Sequence, residues 1–171
     1  METWDAIRAR RNVRDFADRP LGPGDLDRIL EAGRRAPSAG NLQRWDFVAC
    51  TDRSQLQELS RVWRGAGHVA RSAATIALVA PRSDDAHTRE SIEFDLGQAI
   101  VTMMLAAADL GIGTSHAAVA DQDLARSIMG FPEDRYCAWL ITLGHPGDRP
   151  LRPIAHPNRR PFEEVVHRDR W

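Results

Sequence analysis

The chain of 171 residues is 43% hydrophobic and 27% charged with a net charge of −1, a composition that predicts one soluble folded domain over residues 1–171. Near-neutrality argues against a general nucleic-acid binder, which presents a basic domain. All 23 basic residues are arginine, so no lysine can serve as a Schiff-base or general-base residue. Cys50 and Cys137 each sit inside an apolar run ("FVAC", "YCAWLITLG") and read as small core residues, not as a disulfide or zinc site. The charged start "METWDAIRARR" lacks a leader's apolar region, and a cytoplasmic protein is expected. The longest apolar stretch, "AIVTMMLAAADLGIG", is interrupted by Asp109 and is expected to be too short for a membrane span.

In chain order, Trp4, Ile7 and Arg8 fall at helical spacing and predict a helix over 3–10, followed by an extended "NVRDF" and a turn at "RPLGPGD". Leu26, Ile29 and Leu30 predict a second helix that follows Asp25 as N-cap and ends near Pro37. "PSAGNLQRW" reads as a loop and "WDFVACT" as a strand. Asp52 and Gln55 resemble a capping box ahead of the helix "RSQLQELSRV". A buried strand is expected near 73–80, a loop at "PRSDDAHTRE", and the longest helix over 89–110. In that helix Ile92, Leu96, Ile100, Met103 and Leu110 form the apolar face, Gly97, Ala99, Ala106 and Ala107 a face of small residues, and Gly111 the C′ position. "IGTSHAAV" predicts a short strand or loop, "DQDLARSIM" a capped helix and "RYCAWLITLG" a strand. From His145 the texture changes to a proline-rich arm, 145–171, expected to pack on something else, such as a second subunit. Helices and strands mix without clean βαβ alternation, which predicts an α+β fold with no internal repeat.

The stretch "RARRNVRDF" places Arg8, Arg10, Arg11 and Arg14 within seven positions of a near-neutral chain. A solvated helix end, a nucleic-acid contact and a small anionic ligand all account for such a cluster. The six histidines show no metal-binding spacing. Asp84, Asp85 and His87 are ordinary loop residues, and no metal is expected.

Four segments, "RRNVRDF", "APSAGNLQRWDF", "DLGQAIVTMMLAAADLGIGTS" and "RRPFEEVVHRDRW", resemble in this order the nitroreductase family of FMN-dependent oxidoreductases, over nearly the whole chain. The resemblance implies an α+β homodimer with a central, mostly antiparallel sheet flanked by helices. Its active sites lie at the subunit interface and its C-terminal arm wraps the partner. It implies that Arg10, Arg11 and Asn12 contact the FMN phosphate and ribityl chain, and that Arg14 reaches the ring. Pro37, Ser38 and Asn41 match the loop that reaches the flavin of the other subunit. Ala118 and Val119 fall where main-chain N–H groups face the flavin N5. Arg159 and Arg160 match the basic pair that closes on the phosphate, Arg160 being the better placed.

The implied activity is a ping-pong cycle: NADH or NADPH reduces the flavin, then a nitro compound or quinone takes the electrons. The chemistry is the cofactor's, so no protein acid, base or nucleophile is required. The chain departs from the family where Gln43-Arg44-Trp45 replaces a Gln-Pro-Trp, and where a glutamate common near Ala118 is absent. His116 lies near the flavin stretch and is a candidate for substrate contact. The short segment "PRSDDAHTR" implies an open pocket, which leaves a flavin-storing or sensing protein, or a flavin-fragmenting relative, as alternatives.

Overall fold

The structure is a computed structural model that describes residues 1–171. Its helices are α1 (Thr3–Ala9), α2 (Asp25–Arg34), α3 (Arg53–Leu59), α4 (Ala86–Asp109) and α5 (Gln122–Met129). Its strands are β1 (Asp46–Cys50), β2 (Ala74–Pro81), β3 (Gly113–Ala118) and β4 (Arg135–Gly144). The strands form one antiparallel sheet in the order β1-β2-β4-β3. β2 is central and covered on both faces, which is why "ATIALVA" is buried throughout and, apart from Thr75, apolar without alternation. One face carries Ile76, Leu78, Ile141 and Leu143 under α2 and α4; the other carries Ala77, Val79, Cys137 and Leu140 under α3 and α5. The fold is α+β, as the element order predicted.

Local signals account for most boundaries. Asp52, Asp85 and Asp121 each cap a helix, accepting from the backbone N–H of Gln55, Thr88 and Leu124 at 2.9, 2.7 and 2.9 Å. Only half of the expected capping box forms, because the Gln55 amide donates to the Ile128 carbonyl instead of reaching back to Asp52. Asp25 is not an N-cap: Gly24, at φ 80°, holds that position, and the Asp25 carboxylate accepts from Gly22 N–H at 2.9 Å. Gly111, at φ 71°, ends α4 as expected of a C′ residue.

α4 starts three residues earlier than the periodicity predicted, since Asp85 is a working cap, and the β2–α4 connection shrinks to residues 82–85. The helix has 24 residues and meets the length and composition of a membrane span, contrary to the expectation from Asp109. Its Ile92, Leu96 and Met103 side are nonetheless buried against the sheet and α2. The expected small-residue face divides: Ala99 and Ala107 are buried, whereas Gly97 faces open space beside the exposed Phe94 and Val101. Cys50 and Cys137 are free, buried thiols, pushed up to about 11 and about 12 by desolvation.

The segment after α1 crosses the sheet's β3–β4 end. Val13 N–H donates to the Thr114 carbonyl at 2.8 Å, and Phe16 bridges Pro146. Close approach is possible because two glycines lie beneath it. A Cβ on Gly113 would stand 2.7 Å from a Val13 methyl, and one on Gly144 2.7 Å from the Phe16 ring. Gly113→Ala or Gly144→Ala is therefore expected to cost about 1–3 kcal/mol through overpacking. A differential scanning experiment should show a midpoint lower by roughly 2–10 °C; an unchanged midpoint would mean that the segment lifts away freely.

Candidate functional site

α1 ends at Ala9, and Arg10 is its C-cap in extended geometry (φ −60°, ψ 128°). The chain therefore leaves the helix at the start of the arginine cluster. Val13 and Phe16 turn into the core at 1% and 5% exposure, while Asn12 before Val13, and Arg14 and Asp15 after it, face solvent. Over residues 12–14 exposure alternates as in a strand, which places Asn12 and Arg14 on one side; the alternation breaks at Asp15, so that Phe16 also turns inward.

The C-terminal arm returns to the same region. Gly147 N–H donates to the Asp15 carbonyl at 3.0 Å, and Ile154 N–H to the Arg8 carbonyl at 3.1 Å. Between α1, α4 and the arm lies a cavity of about 750 Å³, whose lining includes Trp4, Ile7, Arg8, Arg10, Ile154 and Arg159. Three guanidinium groups line it and no carboxylate does. Arg159 thus joins Arg10 across the length of the chain. Arg160, favoured from the sequence, instead bonds Glu164 at 3.4 Å from Nε and 3.1 Å to its carbonyl. Arg8, which the motif left unused, is part of the cavity.

Arg11 is committed elsewhere. Its guanidinium donates to Asp148 Oδ1 at 2.7 Å and to the Arg149 carbonyl at 2.9 Å, with the side chain 16% exposed. The Arg11 hydrogen bond holds the Asp148 carboxyl below the usual carboxylate range. This pair pins the first turn of the arm to the N-terminal segment.

A second cluster forms at the β3 end. His68 is 9% exposed, and its Nε2 has no hydrogen-bond partner. Burial, then the positive field of Arg14, with a smaller contribution from His116, holds its imidazole below the ordinary histidine range; a bond toward the Gly65 backbone opposes them. His116 is exposed and stands edge-on to Trp139 at 5.6 Å. The buried Ser115 hydroxyl is also without a partner. Ala118 and Val119, half-buried, close β3 beside this cluster. Arg14 itself makes no hydrogen bond and no ion pair within the chain. Buried polar atoms without a partner, as at His68 Nε2 and the Ser115 hydroxyl, are uncommon in folded proteins.

The loop "PSAGNLQ" lies against the middle of α4, where Ala39 N–H donates to Asp95. Ser38 Oγ accepts from Gln43 N–H at 3.0 Å, and the Gln43 amide donates to the Asn41 carbonyl at 3.1 Å. Gly40, Asn41 and Gln43 all have left-handed backbone, at φ 57°, 56° and 49°. Pro37 and Asn41 are exposed, and Arg44 is half-buried. The loop does not meet the arginine cavity within one chain. Sequence reasoning missed Asp95, which bonds this loop from inside α4, because a single Asp in a helix pattern carries no signal of its own. His68 was passed over for the same reason.

An antiparallel sheet layered between helices defines an α+β protein, with a cavity lined by three guanidinium groups between α1, α4 and the C-terminal arm. A model of the Nitroreductase family matches residues 7–66 and 56–145. The chain is 30% identical over 151 residues to the "Putative NADH dehydrogenase/NAD(P)H nitroreductase" of Archaeoglobus fulgidus, covering 86% of this chain and 87% of that one. It is 27% identical to the "NADH dehydrogenase" of Thermus thermophilus over 86% of this chain and 88% of that one. Among solved structures, a "Putative NADH Oxidase" of Clostridium acetobutylicum superposes with TM-score 0.86 at 23% identity, covering 98% and 100% of the two chains. The NADPH:FMN oxidoreductase of Vibrio harveyi superposes with TM-score 0.83 at 24% identity, covering 97% and 76%. The chain belongs to the nitroreductase family.

The Arg11–Asp148 pair predicts a pH-dependent arm. A depressed carboxyl pKa stabilises the docked arm above the unfolded value of about 3.9 and loses that contribution as pH falls through the folded value. Protection factors of the Gly147 and Ile154 amides, corrected for intrinsic exchange, should therefore drop on acidification below about pH 4. Arg11→Ala should lower them at neutral pH and flatten the profile. Equal profiles for parent and variant would show that the pair does not hold the arm.

Proposed function

We propose that this chain is an FMN-dependent NAD(P)H oxidoreductase that acts as a homodimer. In this reading it passes electrons from a nicotinamide nucleotide to an electron-poor acceptor, a nitro compound or quinone, in a ping-pong cycle. The observation that carries the reading is the meeting of Arg10 and Arg159, from opposite ends of the chain, in one cavity without a carboxylate. Like charges brought together unneutralised are costly, and a phosphate ester compensates them with short, charge-assisted bonds. The names of family relatives support the cofactor: one is an FMN reductase [NAD(P)H] of Bacillus subtilis, another an NADPH-flavin oxidoreductase of Vibrio harveyi.

The residues fit FMN in the order of its parts. Arg10 and Arg159, with Arg8 beside them, would hold the phosphate. Asn12, two residues on and exposed, would meet the ribityl chain. Arg14, without a partner inside the chain, would stand by the ring, where its charge favours the reduced, electron-rich form. His68, whose buried Nε2 has no partner, feels the positive field of Arg14. The main-chain groups of Ala118 and Val119 would approach the ring from the end of β3. FMN itself supplies the acceptance and release of hydride at N5. Arg11 acts through the arm by way of Asp148, and Arg160 steadies the arm's end through Glu164.

Pro37, Ser38 and Asn41 serve the flavin of the second subunit in this reading. Two surfaces support assembly. Trp4, Phe94 and Val101 are 67%, 70% and 51% exposed on α1 and α4. The arm 145–171 leaves Phe162 66% and Trp171 100% exposed, apolar groups suited to a partner's surface.

Two variants test the assignment. Arg10→Ala should raise the FMN dissociation constant roughly 10- to 100-fold, the loss of one charge-assisted hydrogen bond. Arg14→Ala, loaded at saturating FMN, should lower the two-electron potential by roughly 30 mV, a tenfold change in the reduction equilibrium. Arg14→Lys should recover part of that shift. Parental affinity in Arg10→Ala together with parental potential in Arg14→Ala would remove the flavin from this site.

A further inference from the structure

Asp95 is a carboxylate at 1% exposure in the middle of α4, among the apolar side chains of Ile92, Leu96 and Ala99. It forms no ion pair. Both its oxygens accept from one donor, the backbone N–H of Ala39, at 3.1 and 3.2 Å. Burying a carboxylate without a cation is costly, and an apolar residue of similar volume would pack α4 without that cost. The position therefore calls for an account that the core does not supply.

The account lies in the loop it holds. Within residues 37–43 every other hydrogen bond is internal or to Trp45: Asn41 N–H to the Ser38 carbonyl at 2.9 Å, Leu42 N–H to Ala39 at 3.1 Å, Gln43 N–H to Ser38 Oγ, and Trp45 N–H to Gln43 at 2.8 Å. The Asp95–Ala39 contact is the one hydrogen bond that fastens this loop to another element. The loop also holds two non-glycine residues, Asn41 and Gln43, in left-handed conformation, which persists only where the surroundings impose it. Pro37, at the loop's start, shares an open groove with Phe94, Gly97 and Val101 on the exposed side of α4. Asp95 thus ties the loop to the same helix that presents this apolar face.

We infer that Asp95 is a positioning residue: its carboxylate fixes the Pro37–Gln43 loop on α4 in the strained form that presents Ser38 and Asn41 to the flavin of the second subunit. This rests on the FMN reading above. The carboxylate touches neither cofactor nor substrate and acts only through Ala39 N–H.

Three variants of the full chain test it: Asp95→Ala removes the acceptor, Asp95→Asn keeps one acceptor oxygen without the charge, and Ala39→Pro removes the donor. Ser38 before it is extended (φ −145°, ψ 153°), so a proline at 39 is sterically admissible. FMN dissociation constants are measured by fluorescence titration of the apoproteins, alongside oligomeric state and the visible circular dichroism of the bound flavin. Asp95→Ala and Ala39→Pro should each raise the dissociation constant about tenfold, or ~1.4 kcal/mol, and alter the flavin dichroism. Asp95→Asn should recover most of both. Folded, dimeric Asp95→Ala and Ala39→Pro with parental affinity and parental dichroism would overturn the assignment. So would loss of the fold in both, since the bond would then hold the core and not the loop. A parent chain that binds no FMN would instead refute the flavin reading itself.

Discussion

The crossing of the N-terminal segment over β3 and β4 is the contact on which the site depends. Val13 and Phe16 are buried against Gly113 and Gly144, each worth about 1.5–3 kcal/mol of burial. With these two side chains turned inward, the residues between and before them must face outward. That single constraint sets Asn12 and Arg14 on the open side and leaves Arg10 at the helix exit. It also sets the path of the arm, whose backbone bonds run to Asp15 and Arg8 on the same segment.

The arginines differ in how their charge is met. Arg28, Arg34 and Arg35 pair with Asp109 or Glu31 on the surface, where such pairs contribute little. Arg11 is paired with Asp148 and is largely covered. Arg10, Arg14 and Arg159 have no carboxylate partner. A chain with 24 acidic residues has ample acids to neutralise them, and it places none in the cavity that Arg10 and Arg159 line. What sets Arg10 and Arg159 apart is their convergence, with Arg8, on one cavity, which the density of arginine along the sequence does not report.

Much of the fold was legible in the sequence because its signals are local. Aspartates at helix starts, Gly111 at a helix end and the apolar runs of β2 and β4 report their own neighbourhood. Asp25 misled because an Asp before an apolar pattern satisfies the N-cap rule whether or not a glycine takes the position first. The start of α4 was placed late because Asp85 lies in a polar stretch without periodicity. At the site, the motif order singled out Arg10, Arg14 and the arm. It ranked Arg160 above Arg159, whereas Arg159 is the one that lines the cavity; the two differ by one position along an irregular chain whose path only tertiary packing decides. Asp95 and His68 were illegible for a deeper reason: their significance is what they face, a lone backbone N–H and a positive field, and neither has a sequence signature.

The central claim is that the arginine cavity and the β3 end together hold a flavin that a nicotinamide nucleotide reduces. An anaerobic titration of the purified, FMN-loaded protein with NADH and with NADPH tests it most directly, followed by visible absorbance. The expected result is a yellow protein whose visible band bleaches stoichiometrically with one or both nucleotides and returns on addition of a quinone. A colourless protein that takes up no FMN, or a loaded one that neither nucleotide bleaches, would contradict it.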